Sequence, residues 1–325
     1  MLEFTVLGSG SRGNCAVARW GDAAVLIDAG LSTRQILRRL ELVGIDPASL
    51  VGILLTHEHS DHTNALDVLC RQWTLPVYCN PLTREALIRS LRHPKQWRLV
   101  ETGERLELSG LRVETFSITH DAVDPIGFVL EAGGARLGVL SDVGHVTNLV
   151  RQRLRGVHTL FVEANYHEPL LDADTKRPWA TKQRIASRHG HLSNGQVAEL
   201  LRELAHPGLN RVVLGHLSED CNCPDLARKS AAATLLAAGA SHTEVACACQ
   251  GDPTPMWSVV RAGLVEVAEN AAELAAVGGG FEAAEEPARP GPGGALPAAE
   301  PVSRSKAPPR DLGEAAPRCQ SEFSW

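Results

Sequence analysis

Along residues 1–262 the apolar side chains recur at two spacings, and the switches between them mark out the elements. Short apolar and β-branched runs at 3–7, 15–20 and 23–28 predict strands, with Gly8-Ser9-Gly10-Ser11 as the first turn. Ser32 is placed as the N-cap of a helix running to about residue 43, with Leu37, Leu40 and Val43 on its apolar face. The unbroken run 51–56 predicts a buried strand, and helices are expected after Asp61 and over 81–91. Runs 111–118, 126–131 and 135–141 predict a meander of strands with Gly133-Gly134 as a hairpin turn. A helix over 146–154 and a strand over 159–163 follow, then helices over 179–188 and 193–204. A strand over 211–215, a helix over 224–238 and strands near 244–249 and 256–260 complete the pattern. A meander of early strands with helices throughout predicts an α/β sandwich, its sheets covered on their outer faces by helices.

The pattern stops near residue 262. Residues 263–325 are rich in Ala, Pro, Gly and Glu, with almost no large apolar side chains, and predict a disordered tail. The expected organisation is therefore one domain over 1–262 and a tail over 263–325. The tail carries ten acidic and five basic side chains, which leaves the domain with 28 acidic and 27 basic ones. Bulk charge does not draw a polyanion to such a domain, so any nucleic-acid contact falls to a local patch or to bound cations. Lys176, Arg177, Lys182, Arg184 and Arg188 form the densest basic run. It reads first as a solvated helix face and second as a surface for a phosphate backbone.

No segment approaches the roughly 18–20 continuous apolar residues of a membrane span. The N-terminus enters a strand at once and lacks the basic and apolar regions of a secretory signal. These features predict a cytoplasmic protein whose eight cysteines are reduced thiols. Cys221 and Cys223, like Cys247 and Cys249, are separated by one residue, which is not the spacing of a structural zinc site.

The strongest chemical signal is Thr56-His57-Glu58-His59-Ser60-Asp61-His62, directly after the apolar strand. Imidazoles and a carboxylate at a strand end are the donors that zinc and similar divalent ions accept. Without coordination, three imidazoles and a carboxylate gathered in a core would carry a heavy desolvation cost. The run therefore predicts a metal site.

This pattern resembles the His-x-His-x-Asp-His signature of the metallo-β-lactamase superfamily. The other motifs of that family follow in order: Asp28 in Leu26-Ile27-Asp28-Ala29-Gly30, His120 after Phe116-Ser117-Ile118-Thr119, Asp142 in Leu140-Ser141-Asp142-Val143-Gly144, and His216 after Val212-Val213-Leu214-Gly215. The resemblance implies a four-layer αββα sandwich and a site for two divalent ions, zinc or manganese or iron. It assigns His57, His59 and His120 to one ion and Asp61, His62 and His216 to the other, with Asp142 bridging them. Asp28 would hold the metal loop by hydrogen bonds. Asp61 would thereby belong to the catalytic machinery, and Glu58 is expected to face away. No nucleotide cofactor is expected.

Several branches of the superfamily fit poorly. Zinc lactamases are secreted and have a different second ligand set; thioesterases of the glyoxalase II type carry an extra helical domain. Large processing nucleases insert a long domain between the fourth and fifth motifs, where this chain has 73 residues. The finer resemblance is to the YycJ/WalJ branch, in Val6-Leu7-Gly8-Ser9-Gly10-Ser11-Arg12-Gly13-Asn14, His120-Asp121-Ala122, Gly190-His191-Leu192-Ser193-Asn194 and His216-Leu217-Ser218-Glu219. That branch implies a 5′–3′ exonuclease on double-stranded DNA with a link to mismatch repair. Asp220-Cys221-Asn222-Cys223 departs from the Glu-Asn-Asn-like run expected there. His191 stands where related RNA-processing enzymes place a His-Ser-Thr element at the scissile phosphate. It is the candidate phosphate clamp or proton donor, just before Ser193, the expected cap of a helix whose N-terminus favours phosphate. Two rival readings remain at this stage. One is hydrolysis of a small phosphodiester, thioester or lactone; the other is a non-catalytic metal-binding scaffold recruiting partners through its tail.

Overall fold

The computed structural model describes residues 1–261, so the expected tail over 263–325 lies outside the described residues. The chain opens with an antiparallel meander, β1 (Leu2–Gly8), β2 (Cys15–Trp20) and β3 (Ala23–Ile27). It then extends the sheet in parallel through β4 (Leu50–Leu54), β5 (Val77–Cys79) and β6 (Trp97–Leu99). A second sheet repeats the plan. β7 (Arg105–Leu108), β8 (Leu111–Ser117), β9 (Ile126–Ala132) and β10 (Ala135–Leu140) are antiparallel, and β11 (Thr159–Glu163), β12 (Arg211–Gly215) and β13 (Glu244–Cys247) add on in parallel. β14 (Trp257–Val259) returns to the first sheet and pairs with β1.

The period of two along the strands sorts side chains between the layers. Leu2, Phe4 and Val6 of β1 meet Phe128, Leu137, Val139, Phe161 and Val213 between the sheets. The opposite faces of the same strands pack against helices. α1 (Thr33–Leu42), α3 (Leu66–Trp73) and α4 (Pro81–Leu87) cover the first sheet, with the short α2 (Ser60–Thr63) at the site. α5 (Asn148–Leu154), α8 (Asn194–Leu204) and α9 (Pro224–Ala237) cover the second, while α6 (Glu168–Ala173) and α7 (Trp179–Ile185) lie between β11 and α8 in sequence. Two mixed sheets flanked by helices make the expected α/β sandwich. No described helix is long and apolar enough to cross a membrane.

Two sequence expectations need correction. Ser32 does cap α1, in a reciprocal box with Gln35. Its buried face, however, is Ile36, Arg39 and Leu40, with Leu37 only half-buried. A charged residue belongs on that face because its guanidinium donates to the carbonyls of Leu7, Gln250 and Gly251. The helix expected over 179–188 ends at Ile185, where the chain turns through Gly190 toward His191.

Candidate metal centre and active site

The residues named as ligands, with Asp28, follow the C-terminal ends of strands, and His191 joins them from the loop between α7 and α8. Three of these positions bend the backbone into the left-handed region: Asp28 (φ 60°), Asp142 (φ 55°) and His216 (φ 51°). Asp and His tolerate this conformation better than most side chains, and strain of this kind clusters at functional sites. The bend turns each side chain out of the sheet and into the cleft. Loop packing is equally tight at Gly30, where a Cβ would stand 1.5 Å from the Asp61 carbonyl, so only glycine lets the loops after β3 and β4 meet.

His57, His59 and His120 bring one nitrogen each into a common space. Their ring centroids lie 4.6–5.2 Å apart. Asp142 is buried, with Oδ2 3.0 Å from His62 Nε2 and Oδ1 3.1 Å from His216 Nδ1 and 4.0 Å from His120 Nε2. Its carboxylate therefore stands between the two groups of imidazoles. Asp61 Oδ2 approaches His62 Nε2 at 3.4 Å and His216 Nε2 at 3.9 Å. The seven residues named as ligands are brought into one pocket.

Hydrogen bonds behind the pocket decide which ring nitrogen faces into it. His62 Nδ1 lies 2.7 Å from Asp28 Oδ2, and Asp28 also accepts from the Thr56 backbone N–H and hydroxyl. His120 Nδ1 lies 3.0 Å from the Gly190 carbonyl. Both rings are thus left with Nε2 toward the cleft, the usual arrangement behind a metal-ligating imidazole. His57 Nε2 is buried with no hydrogen-bond partner at all. An orphaned imidazole nitrogen amid other donors is what a cation site presents, so the residues fit a divalent metal.

Electrostatics agree. Burial works to lower the His62 pKa, but Asp142, Asp28 and Asp61 hold it well above the ordinary imidazole range. Burial likewise opposes protonation of His216, yet Asp142 and Glu163 push it up to about 9. Burial tends to raise the Asp142 carboxyl, while His216 and His62 hold it well below the usual carboxylate range. His57 is lowered by burial and by His62. The pocket thus demands positive charge, which protonated imidazoles supply where no cation does.

Two residues escaped sequence reasoning. Glu163 closes β11 and is fully buried. Its Oε1 accepts from the backbone N–H groups of Val143 and Leu192, each at 2.8 Å. Its Oε2 stands 3.0 Å from His191 Nδ1 and 3.1 Å from His216 Nδ1. Asp142, Glu163, His191 and His216 also lie close enough to share an ion. Because both imidazoles meet Glu163 through Nδ1, and its other oxygen is filled by backbone donors, we assign Glu163 to the layer behind the pocket. Asn14 is the second. Its Oδ1 accepts from Ser9 Oγ and the Gly10 N–H, and its Nδ2 donates to Asp61 Oδ2 at 3.1 Å. Ser9 Oγ in turn accepts from the His216 N–H at 2.7 Å, so one N-terminal loop fastens the residues carrying both Asp61 and His216. The only hint of Glu163 in sequence was an acid closing an apolar strand; Asn14 gave none beyond its glycine-rich setting.

His191 lies between the rings of His120 and His216, at 5.2 and 5.0 Å, and is about one-fifth exposed. The α8 cap beside it, Ser193 with Asn194, is buried, so a phosphate there would meet His191 rather than the capping side chain. Glu58 is not idle: its Oε1 accepts from the Val123 N–H and fastens the loop after His120. The described cysteines are free thiols. The basic run is largely spent, with Lys176 and Arg177 on Asp220, Arg177 also on Asp174, and Arg184 on Asp121.

This geometry agrees with comparison to known proteins. Residues 23–217 match the family model described as the Beta-lactamase superfamily domain. The chain belongs to this superfamily and has its metallo-β-lactamase fold, and it is a metal-dependent hydrolase. It is 33% identical over 239 residues to the exodeoxyribonuclease YycJ of Bacillus anthracis, covering 72% of this chain and 89% of that one. It is 32% identical over 230 residues to the exodeoxyribonuclease WalJ of Streptococcus pneumoniae serotype 2 (strain D39 / NCTC 7466), covering 70% and 85%. Among solved structures, the metallo-beta-lactamase fold protein YhfI from Bacillus subtilis superposes with a TM-score of 0.59 at 16% identity, over 79% of this chain and 100% of that one.

Proposed function

We propose that this chain is a dinuclear metal-dependent phosphodiesterase, acting as a 5′–3′ exonuclease on double-stranded DNA in cytoplasmic DNA repair, with residues 1–262 as its hydrolase domain. The observation that carries this reading is the convergence of His57, His59, Asp61, His62, His120, Asp142 and His216 on one pocket, in a chain one-third identical to an exodeoxyribonuclease. His57, His59 and His120 would hold one ion, Asp61, His62 and His216 the other, and Asp142 both. Zinc, manganese or iron suits these donors and supplies Lewis-acid activation of water and charge neutralisation at a phosphoryl centre.

The chain's own residues do the rest. Asp28 fixes the His62 ring, and Asn14 restrains Asp61. His191 holds its Nδ1 on Glu163, which leaves Nε2 to face the substrate, clamp the phosphate and hand a proton to the leaving oxygen.

The test is digestion of blunt duplex DNA labelled at either end, with zinc, manganese or iron added back to metal-stripped protein. The expected result is stepwise shortening from the 5′ end that chelation abolishes. Turnover confined to small chromogenic phosphodiesters, thioesters or lactones would replace the nuclease reading with a small-substrate hydrolase. Full metal occupancy without any turnover would leave a binding scaffold.

A further inference from the structure

We propose that the segment from Pro178 to Arg188 is a docking ledge for the end of a nucleic-acid duplex, with Trp179 stacked on the terminal base and Arg188 on a backbone phosphate. The inference rests on the nuclease reading above. α7 has no buried residue, and Pro178, Trp179 and Ala180 are all exposed. Trp179 is 67% exposed and is the only exposed aromatic among the described residues. An indole held in water carries a hydration cost that contact with a flat apolar surface removes.

The ledge is held firmly, which separates it from a loose loop. Upstream, Arg177 is pinned between Asp174 and Asp220, and Lys182 Nζ donates to the Asp172 carbonyl at 2.9 Å. Downstream, Arg184 Nε donates to Asp121 Oδ2 at 2.7 Å, and Asp121 Oδ1 is 3.2 Å from His120 Nε2. Ile185 packs against Tyr166, Leu171 and Cys221, and its carbonyl accepts from the His191 N–H. The helix is thereby stitched to the loops after His120 and His216 and to His191 itself. Trp179 precedes Arg184 by five residues, roughly 7.5 Å at the helical rise. That rise equals about two nucleotide steps of one strand, so Trp179 stands beyond the residue that anchors α7 to the loop bearing His120.

Charge favours a nucleic acid as the occupant. Lys176, Arg177 and Arg184 are engaged by carboxylates, but Arg188 is exposed and makes no ion pair among the described residues. Its backbone passes directly over Gly144, two residues from Asp142, where a Cβ would lie 2.4 Å from it. An exposed guanidinium at one end of the ledge and an exposed indole at the other suit a backbone phosphate and the terminal base of a duplex. Stacking tolerates any base, as an exonuclease without sequence preference requires.

The test compares Trp179→Ala, Trp179→Phe and Arg188→Gln with the wild type in manganese-loaded protein. Two substrates are used: blunt duplex DNA and the small ester thymidine 5′-(p-nitrophenyl phosphate). Affinity is read separately by anisotropy on a duplex whose phosphorothioate ends resist cutting. Trp179→Ala is expected to raise KM and Kd for the duplex about tenfold, with Trp179→Phe retaining most of the stack. Arg188→Gln should weaken duplex binding and flatten its salt dependence. Small-ester kcat/KM should stay within twofold of wild type. Duplex KM and Kd unchanged in Trp179→Ala would overturn the ledge alone, as would equal losses on both substrates. A wild type that hydrolyses the ester and spares every duplex would overturn the nuclease reading and the ledge with it.

Discussion

Replacing Glu163 with Gln tests whether the layer behind the pocket sets the metal affinity in front of it. The carboxylate accepts four hydrogen bonds, two from backbone N–H groups on Oε1 and two from imidazole Nδ1 atoms on Oε2. An amide of the same shape has one oxygen, so either orientation sets its NH2 against two donors. At about 1–3 kcal/mol for each buried donor left unsatisfied, the direct cost is roughly 2–6 kcal/mol, a large part of an ordinary domain's stability. One escape exists. If His191 and His216 switch tautomer, each Nδ1 accepts from the amide, but the proton then occupies Nε2 of His216, the atom a metal needs. The metal-free variant should accordingly recover much of its stability while its affinity for the ion on His216 falls about 10- to 100-fold. That removes about 1.4–2.8 kcal/mol of the metal-linked stabilisation. Urea unfolding with and without saturating metal measures both quantities, and a chelator competition counts the ions. Glu163→Gln that binds two equivalents with wild-type affinity would refute the argument, because His216 would then be oriented by something else.

The remaining predictions address other parts of the site and fold. His191→Ala should lower kcat on duplex DNA about 100-fold or more while metal content stays unchanged; parallel loss of both would make His191 structural. Chelated protein should lose thermal stability between pH 6.5 and 8.5. His216 is raised from its ordinary 6.5 to about 9 and His62 is raised as well, so their contribution is complete below 6.5 and disappears as pH climbs through the folded values. His57 is lowered and already neutral across that window, so it does not offset the loss. A flat or rising melting temperature of the chelated form would contradict this account. Arg39→Met keeps the stem of a buried side chain but strips donors from the carbonyls of Leu7, Gln250 and Gly251. It should cost about 2–4 kcal/mol in urea unfolding with no change in metal content.

What the sequence revealed and what it concealed divide along the range of the interactions. His57, His59, Asp61 and His62 crowd into six residues after a strand, so their chemistry is local and stands out against any bland alternative. Asp28, His120, Asp142 and His216 are single polar residues after strands, and only their order and resemblance to a family marked them. The β-strands with a clear period of two were visible to within a residue or two. β5, β6 and β7 were not, since three or four residues carry too little pattern. Glu163 and Asn14 derive their roles from partners far along the chain: Glu163 is 28 residues from His191 and 53 from His216, and Asn14 is 47 from Asp61. No local window contains those pairs.

Arg39 and the basic run mislead in opposite directions for the same reason. A charge on the buried face of α1 was passed over because its three carbonyl acceptors come from the end of β1 and from residues 250 and 251, far along the chain. The cations near Lys182 drew attention because their carboxylate partners, Asp121 and Asp220, are equally distant. Buried polar side chains must be satisfied, so each one implies partners even where the sequence does not say which. An acid at the end of an apolar strand, as at Glu163, is therefore as strong a pointer to a polar network as a histidine cluster is to a metal. The partners become visible only when the sheets bring their strand ends together.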